Sequence, residues 1–292
     1  MTVAETVLSG PDGEIRIGDD QPFAIIGERI NPTGRTSLSE QMRTGDMTMV
    51  MADAIGQVES GARVLDINAG VPGFDEAEML SSAVKAVQSV VGVPLCIDSS
   101  TPSALEAAIP LAQGKVLINS VTAEEESMRR LLPLVARFGA AVIGMSNDEE
   151  GPQMDPRTRL AAARKIVEAA ADHGIPPEDV IIDVIAMPIG AMPEAGRAMY
   201  ETIRLVREEL GCNVSCGASN ISFGMPGRQE IDSTFLSMAV LAGMNTAITN
   251  PMHRPVRKAM LATDLLLGRD AYGSGWIADH RRETQAATSA EA

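Results

Sequence analysis

The chain alternates between short apolar runs and longer segments whose apolar residues recur at helical spacing. Apolar runs of four to seven residues are typical of buried strands, and the longer amphipathic segments are typical of helices packed on a sheet. The predicted strands span residues 23–27, 63–68, 94–98, 116–119, 141–145, 179–184, 212–218 and 245–249. The predicted helices begin near residues 46, 75, 101, 122, 155, 194, 228 and 254. The pattern therefore predicts eight strands that alternate with eight helices.

Eight βα units within roughly 250 residues favour a (β/α)₈ TIM barrel over an open doubly wound sheet. A Gly-x-Gly-x-x-Gly sequence, which marks dinucleotide-binding folds, does not follow the first predicted strand. We assign the barrel to residues 22–269. Residues 1–21 form an N-terminal extension, in which Pro11-Asp12-Gly13 predicts a small hairpin outside the main fold. Residues 270–292 form a polar C-terminal tail that we expect to fray.

Composition and charge exclude several classes of function. The chain has 292 residues, 45% of them hydrophobic, and a formal net charge of −15. Nucleic-acid-binding proteins carry a basic face, so we expect no nucleic-acid partner. The N-terminus lacks the features of a signal peptide, and no apolar run approaches the ~20 residues of a membrane span. We therefore expect a cytoplasmic protein without membrane contact.

The three cysteines fall in predicted strands and favour core thiols over a structural zinc site. Cys96, Cys212 and Cys216 lack a second cysteine pair or a nearby histidine that would complete zinc coordination. We therefore assign no metal ligands.

Polar residues follow several of the apolar runs, at the places where predicted strands end. In a parallel barrel these ends converge on one rim, where active sites lie. The rim candidates are Glu28, Asn31, Asp66, Asn68, Asp98, Asn119, Asp183 and Asn220. Each alone could cap the following helix, but together they predict a pocket of carboxylates and amides. Such a pocket suits magnesium or a ligand rich in N–H donors, such as a pterin.

At these positions the sequence resembles the methyltetrahydrofolate:corrinoid methyltransferases. These belong to the pterin-binding TIM barrels, with dihydropteroate synthase and the folate domain of cobalamin-dependent methionine synthase. The motifs that carry the resemblance are Gly27-Glu-Arg-Ile-Asn31, Leu65-Asp-Ile-Asn68, Cys96-Ile-Asp-Ser99, Ile118-Asn-Ser120, Gly139-Ala-Ala-Val-Ile-Gly144, Ile182-Asp183 and Ser219-Asn-Ile-Ser222. Val184 departs from the family pattern, in which proline follows the aspartate. His253 receives no role.

The resemblance implies specific roles for the rim residues. Asp98, Asn119 and Asp183 are expected to hold the pterin ring, and Asn220 is expected to reach N5, the nitrogen that carries the methyl group. Asp66 and Asn68 form the matching polar pair of the second predicted strand. We predict Asn220, Asp98 and Asp183 as the catalytic residues. The candidates for contact with the folate tail are Arg35, Arg228 and Arg254.

The predicted function is transfer of the N5 methyl group between methyltetrahydrofolate and the cobalt of a corrinoid protein, a reaction of one-carbon metabolism. Tetrahydrofolate is then a substrate, and the corrinoid is supplied by a partner protein that docks transiently on the barrel rim. We also expect a homodimer. The alternatives are dihydropteroate synthase and a non-catalytic pterin-binding subunit of a methyltransferase complex. The absence of lysine or arginine from residues 217–222 disfavours the synthase, which must hold a pyrophosphate leaving group.

Overall fold

The computed structural model describes residues 5–290 and contains two sheets. An antiparallel hairpin pairs β1 (Thr6–Gly10) with β2 (Gly13–Ile17). Eight parallel strands form the second sheet in the order β10-β3-β4-β5-β6-β7-β8-β9. They are β3 (Ala24–Ile30), β4 (Val64–Asn68), β5 (Leu95–Asp98), β6 (Leu117–Thr122), β7 (Ala141–Met145), β8 (Val180–Asp183), β9 (Asn213–Ser215) and β10 (Thr246–Thr249).

A few contacts between the two end strands close this sheet into a barrel. The backbone N–H of Ile248 donates to the carbonyl oxygen of Cys216 at 2.9 Å, and Gly217 forms a parallel bridge with Ile248. The predicted TIM barrel is confirmed.

Ten α-helices lie among the described residues. They are α1 (Thr36–Arg43), α2 (Thr48–Glu59), α3 (Glu76–Gln88), α4 (Pro102–Ala108), α5 (Glu125–Phe138), α6 (Pro156–Asp172), α7 (Ala195–Glu209), α8 (Arg228–Ala242), α9 (Arg254–Leu266) and α10 (Ser274–Ala290). The eight from α2 to α9 correspond to the eight predicted helices. The helices α1 and α10 lie in segments for which the sequence pattern predicts no helix.

Two apolar layers hold the barrel together. The larger layer lies between the strands and the surrounding helices, and includes Leu80 and Val84 of α3. The smaller layer fills the barrel interior with one or two side chains from several strands, such as Ile26, Val64 and Leu117. All three cysteines are free and buried, as predicted for core thiols.

The hairpin closes the end of the barrel opposite the rim, so its predicted position outside the main fold is wrong. Leu8 and Ile17 are fully buried and pack with the interior layer. The hydroxyl of Thr6 donates to the carbonyl oxygen of Glu178, just before β8, and Asn213 Nδ2 donates to the carbonyl oxygen of Ile17 at 3.0 Å. The turn sequence Pro11-Asp12-Gly13 identified the hairpin, but did not reveal which surface it covers.

The C-terminal segment forms α10 against α9, so the predicted frayed tail is also wrong for residues 274–290. Asp279 is 2% exposed and pairs with Lys258 Nζ at 2.6 Å. The same ammonium lies 5.0 Å from the centre of the Trp276 ring. These paired charges anchor a segment whose small polar residues alone predict no stable helix. No helix within residues 5–290 is long and apolar enough to span a membrane.

Candidate functional site

The barrel interior determines which polar residues face the rim. Side chains two apart in a strand share a face, so a residue two positions after an interior side chain points to the same axis. Val64 lies in the interior layer and is followed by Asp66 and then Asn68 on the same face of β4. In the same way Cys96 precedes Asp98, and Leu117 precedes Asn119. The alternation of side-chain direction along each strand therefore places apolar side chains in the barrel interior and polar side chains at the rim.

The structure brings four of these residues together as two carboxylate–amide pairs. Asn119 Nδ2 donates to Asp66 Oδ1 at 3.1 Å, and Asn68 Nδ2 donates to Asp98 Oδ2 at 2.9 Å. Each amide oxygen or remaining carboxylate oxygen keeps acceptor capacity beyond these bonds. The pairs therefore offer several fixed acceptors to a ligand that carries N–H groups.

Burial raises the pKa values of both carboxyl groups, Asp66 and Asp98, above those of exposed aspartates. The pKa of Asp66 is raised to about 8, first by removal from water and second by the neighbouring charge of Asp98. Burial also raises the pKa of Asp98 to about 6, against the opposing effect of the hydrogen bond from Asn68. Perturbed carboxylates of this kind in a cavity are typical of functional sites.

A central cavity of about 360 Å³ opens at the rim between β3, β4, β5, β6 and the segment after β9. Its volume lies within the range of small-molecule pockets. Among the residues that line it are Asp66, Asp98, Asn119, Asn220, Glu28 and Arg29. Asn220 is exposed in a turn after β9 and faces this cavity opposite the carboxylates.

An irregular end of β3 places Glu28 and Arg29 side by side on the cavity. The register between β3 and β4 shifts between Gly27 and Ile30, which interrupts the alternation of the strand. Gln57 Oε1 accepts the backbone N–H of Arg29 at 2.8 Å, and a Cβ at Gly27 would approach that oxygen to 2.5 Å. A larger residue at this position would therefore displace the Gln57 amide that accepts the Arg29 N–H.

Two further clefts adjoin the central cavity on opposite sides. The first, of about 600 Å³, shares Thr33, Asp98 and Asn119 with it; we call it the acidic cleft. Its charged side chains are Asp98, Glu76, Glu124, Glu126 and Arg130. The second, of about 560 Å³, shares Glu28, Arg29 and Ser219 with the central cavity; we call it the mixed-charge cleft. Its charged or titratable side chains are Glu28, Arg29, Arg228, Glu230, Asp232 and His253.

Asp183 lies at the rim end of β8 but lines neither the central cavity nor the two clefts. Its Oδ1 accepts the backbone N–H of Ile185 at 2.7 Å, and the backbone N–H of Gly217 also donates to it. Burial raises its pKa to about 6, and these hydrogen bonds and the guanidinium of Arg159 oppose that rise. In this structure Asp183 supports the cavity wall at Gly217.

The residues that sequence analysis overlooked are Arg29 and Ser219. Ser219 Oγ donates to Glu28 Oε1 at 2.8 Å and links the segment after β9 to β3 at the rim. Both residues stand inside motifs that carry the family resemblance, next to Glu28 and Asn220. Their positions next to Glu28 and Asn220 in these motifs could have identified both residues from the sequence.

Two of the three predicted tail-binding arginines are held in ion pairs. Arg35 lines the central cavity, and its Nη1 pairs with Asp53 at 2.6 Å. Arg254 Nε pairs with Glu283 of α10 at 2.8 Å. Arg228 lines the mixed-charge cleft. His253 lines the same cleft, and burial lowers its pKa.

Comparison with known proteins gives a consistent picture. The model of the family described as pterin binding enzyme matches residues 27–250. A methylcorrinoid:tetrahydrofolate methyltransferase of Eubacterium limosum is 32% identical over 254 residues, which cover 84% of this chain and 92% of that protein. Methionine synthase of Mycobacterium tuberculosis is 28% identical over 274 residues, which cover 87% of this chain but 23% of that larger protein.

Solved structures of dihydropteroate synthases share the fold. The enzyme from Thermus thermophilus in complex with 6HMPPP superposes with a TM-score of 0.61 at 21% identity, and covers 89% of this chain and 99% of that one. The Xanthomonas albilineans enzyme with 4-aminobenzoic acid gives a TM-score of 0.67 at 20% identity, and covers 92% of this chain and 99% of that one.

Proposed function

Because this chain belongs to the pterin-binding enzyme family, we propose that it is a methyltransferase that moves the N5 methyl group between methyltetrahydrofolate and the cobalt of a corrinoid protein. The family assignment follows from the match over residues 27–250. The choice of reaction is supported by the relative from Eubacterium limosum, because the similarity extends over 92% of that protein.

The observation that carries the proposal is the pair of buried carboxylate–amide contacts at one cavity. The amino group and ring N–H of a pterin present two parallel donors, and a carboxylate accepts such a pair in a bidentate manner. Asp98 supplies a carboxylate, and Asp66 supplies a carboxyl group whose pKa of about 8 keeps it largely protonated at neutral pH. Asn119 supplies an amide that can both donate and accept. The donor and acceptor set of the cavity therefore fits a pterin ring.

Proposed roles follow from these positions. Asp66, Asn68, Asp98 and Asn119 hold the pyrimidine side of the ring, and Asp183 fixes the wall at Gly217 and completes the polar end of β8. Asn220 faces the same cavity from the segment after β9 and reaches N5.

The difficult step is the departure of N5 as the methyl group leaves. An amine that departs as an anion is a poor leaving group, so a hydrogen bond or a proton at N5 must stabilise the developing charge. The amide of Asn220 can donate that bond, and the carboxylate of Asp98 at the far edge of the ring can stabilise a protonated pterin. The bound corrinoid supplies a cobalt that accepts or donates the methyl group.

We propose that the corrinoid is carried by a separate protein that docks on the rim. The segments after β8 and β9 carry half-buried Met187, Met192 and Met225, adaptable apolar residues that suit a broad, transient contact. We further propose a homodimer in the cytoplasm.

Dihydropteroate synthase is the second candidate, because Arg29, Arg228 and His253 together could meet a pyrophosphate group. Its structural relatives are 20–21% identical and share the fold. Formation of dihydropteroate from 4-aminobenzoic acid and a pterin pyrophosphate would support the synthase, and methyl transfer to free cobalamin would support the methyltransferase. A chain that binds methyltetrahydrofolate without either activity would be a non-catalytic subunit.

The proposal is tested by titration of methyltetrahydrofolate into the wild type and into Asp98→Ala, Asn119→Ala and Asp183→Ala. Each substitution should weaken binding about 5- to 100-fold, since an unpaired polar group costs about 1–3 kcal/mol. Asp179→Asn is the matched control. Asp179 is a buried carboxylate that pairs with Lys115 and directly precedes β8, at the end of the barrel away from the rim. Unchanged affinity in all three alanine variants would show that the pterin binds elsewhere.

A further inference from the structure

The mixed-charge cleft adjoins the central cavity. Glu28, Arg29 and Ser219 line both spaces. A ligand whose ring fills the central cavity can therefore extend a flexible part into the cleft.

We propose that the mixed-charge cleft binds the carboxylates of the glutamate tail of the folate. This inference rests on the proposed function, because it takes the pterin orientation from the roles of Asp98 and Asn220. It assigns a ligand to residues beyond the pterin-binding group, namely Arg29, Arg228 and His253.

The covalent structure of the substrate determines the direction of the tail. The tail leaves the pterin at C6, the carbon directly bonded to N5. Asn220 is assigned to N5, so the tail emerges beside Asn220 and its neighbour Ser219, which lines the mixed-charge cleft. The acidic cleft lies on the other side, beyond Asp98 and Asn119, which hold the far edge of the ring.

The charges of the two clefts favour the same direction. The glutamate tail carries two carboxylates that are ionised at neutral pH. Four carboxylic side chains and one guanidinium line the acidic cleft, which would repel a dianion. Three carboxylic side chains also line the mixed-charge cleft, but they are accompanied by two guanidinium groups and an imidazole.

The cationic groups of the mixed-charge cleft are available for a ligand. The guanidinium of Arg29 makes no ion pair or side-chain hydrogen bond with residues 5–290. Arg228 donates to Ser222 Oγ at 3.0 Å and to the carbonyl oxygen of Ser219, and lies 5.9 Å from the centre of the Phe223 ring. These contacts hold the fork of Arg228 over the cleft and leave further N–H donors unused.

The buried carboxylates organise the cleft and leave room for an anion. Glu28 accepts the hydroxyl of Ser219. Asp232 is 2% exposed, lines the same cleft as Arg228 and His253, and interacts electrostatically with both. His253 is half-buried at the cleft and offers a ring N–H donor. The start of α8 at Arg228 adds the positive end of a 15-residue helix.

The experiment compares two ligands, methyltetrahydrofolate and a 5-methyltetrahydropterin that lacks the p-aminobenzoylglutamate tail. Their affinities are measured by calorimetry for the wild type and for Arg29→Gln, Arg228→Gln and the double variant. We expect the wild type to bind the folate more tightly than the pterin by about tenfold or more, the effect of one charge-assisted hydrogen bond. Each single variant should reduce the ratio of the pterin Kd to the folate Kd severalfold, and the double variant should bind the two ligands about equally.

The control is Arg130→Gln, which removes the guanidinium of the acidic cleft. The proposal would be overturned if the ratio of the pterin Kd to the folate Kd fell in Arg130→Gln but stayed the same in Arg29→Gln and Arg228→Gln. That result would place the tail in the acidic cleft. Equal affinities of the wild type for both ligands would also overturn it, while pterin binding itself would still support the proposed function. If neither ligand binds, the proposed function fails, and this inference fails with it.

Discussion

Asn220 is the side chain on which the rate of methyl transfer should depend most. Its amide can strengthen a hydrogen bond to N5 as negative charge develops there, so Asn220→Ala should lower the rate about 100-fold. The Kd for methyltetrahydrofolate should rise less than about fivefold, because a bond that forms mainly in the transition state adds little to ground-state binding. Single-turnover kinetics alongside equilibrium binding separate the two effects.

Asn220→Asp provides the conservative comparison, since it preserves size but replaces the N–H donors with a second acceptor. Aspartate should not restore the rate. A fully active aspartate variant, or equal losses of rate and affinity in Asn220→Ala, would contradict a donor role at N5.

The pKa of Asp98 predicts how folate binding responds to pH. The ionised carboxylate accepts the pterin donors, and its pKa in the free protein is raised to about 6 by burial. Protonation below that pH competes with the ligand, so the Kd should rise up to about tenfold per unit as the pH falls below 6. Calorimetric titrations between pH 5 and 8 measure this slope.

Asp98→Asn should bind methyltetrahydrofolate more weakly at pH 7.5 and show a smaller loss of affinity on acidification. An unchanged slope in this variant would assign the pH dependence to another group, such as Asp183, whose pKa is also raised to about 6.

The limits of sequence analysis at the site have physical causes at individual residues. Asp66, Asp98 and Asn119 could be predicted, because regular strands keep every second side chain on one face. Arg29 could not, because the register shift near Gly27 breaks that alternation and turns two consecutive side chains toward the cavity. Asp183 keeps the expected position, but its carboxylate meets backbone N–H groups that no sequence pattern specifies.

Among the elements, the hairpin formed by β1 and β2 should contribute strongly to stability. Leu8 is fully buried against the barrel interior, so Leu8→Ala should lower the free energy of unfolding by about 2–5 kcal/mol. Val7→Ala is the control, because Val7 is partly exposed on the other face of the same strand and should cost less than about 1.5 kcal/mol. Urea denaturation followed by circular dichroism measures both values. Equal costs would show that the hairpin does not act as the floor of the barrel.

The elements that were predicted correctly share one property, a clear local period. The barrel strands are apolar on both faces and stop at polar residues, and α3 begins where Asp75 accepts the backbone N–H groups of Ala77 and Glu78. The start of α5 was misplaced, because Thr122 stays paired with Met145 in the sheet and Glu124 becomes the N-cap. The helix α10 depends on ion pairs with α9, and contacts between distant residues leave no local signal.

At the scale of the whole molecule, rim docking predicts that methyl transfer to a corrinoid protein and folate binding can be separated. Met192→Glu together with Met225→Glu should place two charges on the apolar part of the rim, and reduce the rate of transfer to the corrinoid protein at least tenfold. Affinity for methyltetrahydrofolate and transfer to free cobalamin should persist. Stopped-flow spectroscopy of the corrinoid follows the transfer.

Met238→Glu is the matched control, because Met238 is 51% exposed on α8, along the side of the barrel. Its rate of transfer should equal that of the wild type. Full activity of the rim variant, or an equal loss in the control, would place the partner elsewhere.

The barrel floor also sets an order of events during synthesis. Thr6 and its hydrogen-bond partner Asn213 are separated by 207 residues, and Leu8 packs with Ile181 of β8. At about 5–20 residues per second, Thr6 is added to the chain about 10–40 s before Asn213. The hairpin is thus synthesised well before the strands it contacts, and the nascent chain must carry Leu8 and Ile17 without their final partners until the barrel closes.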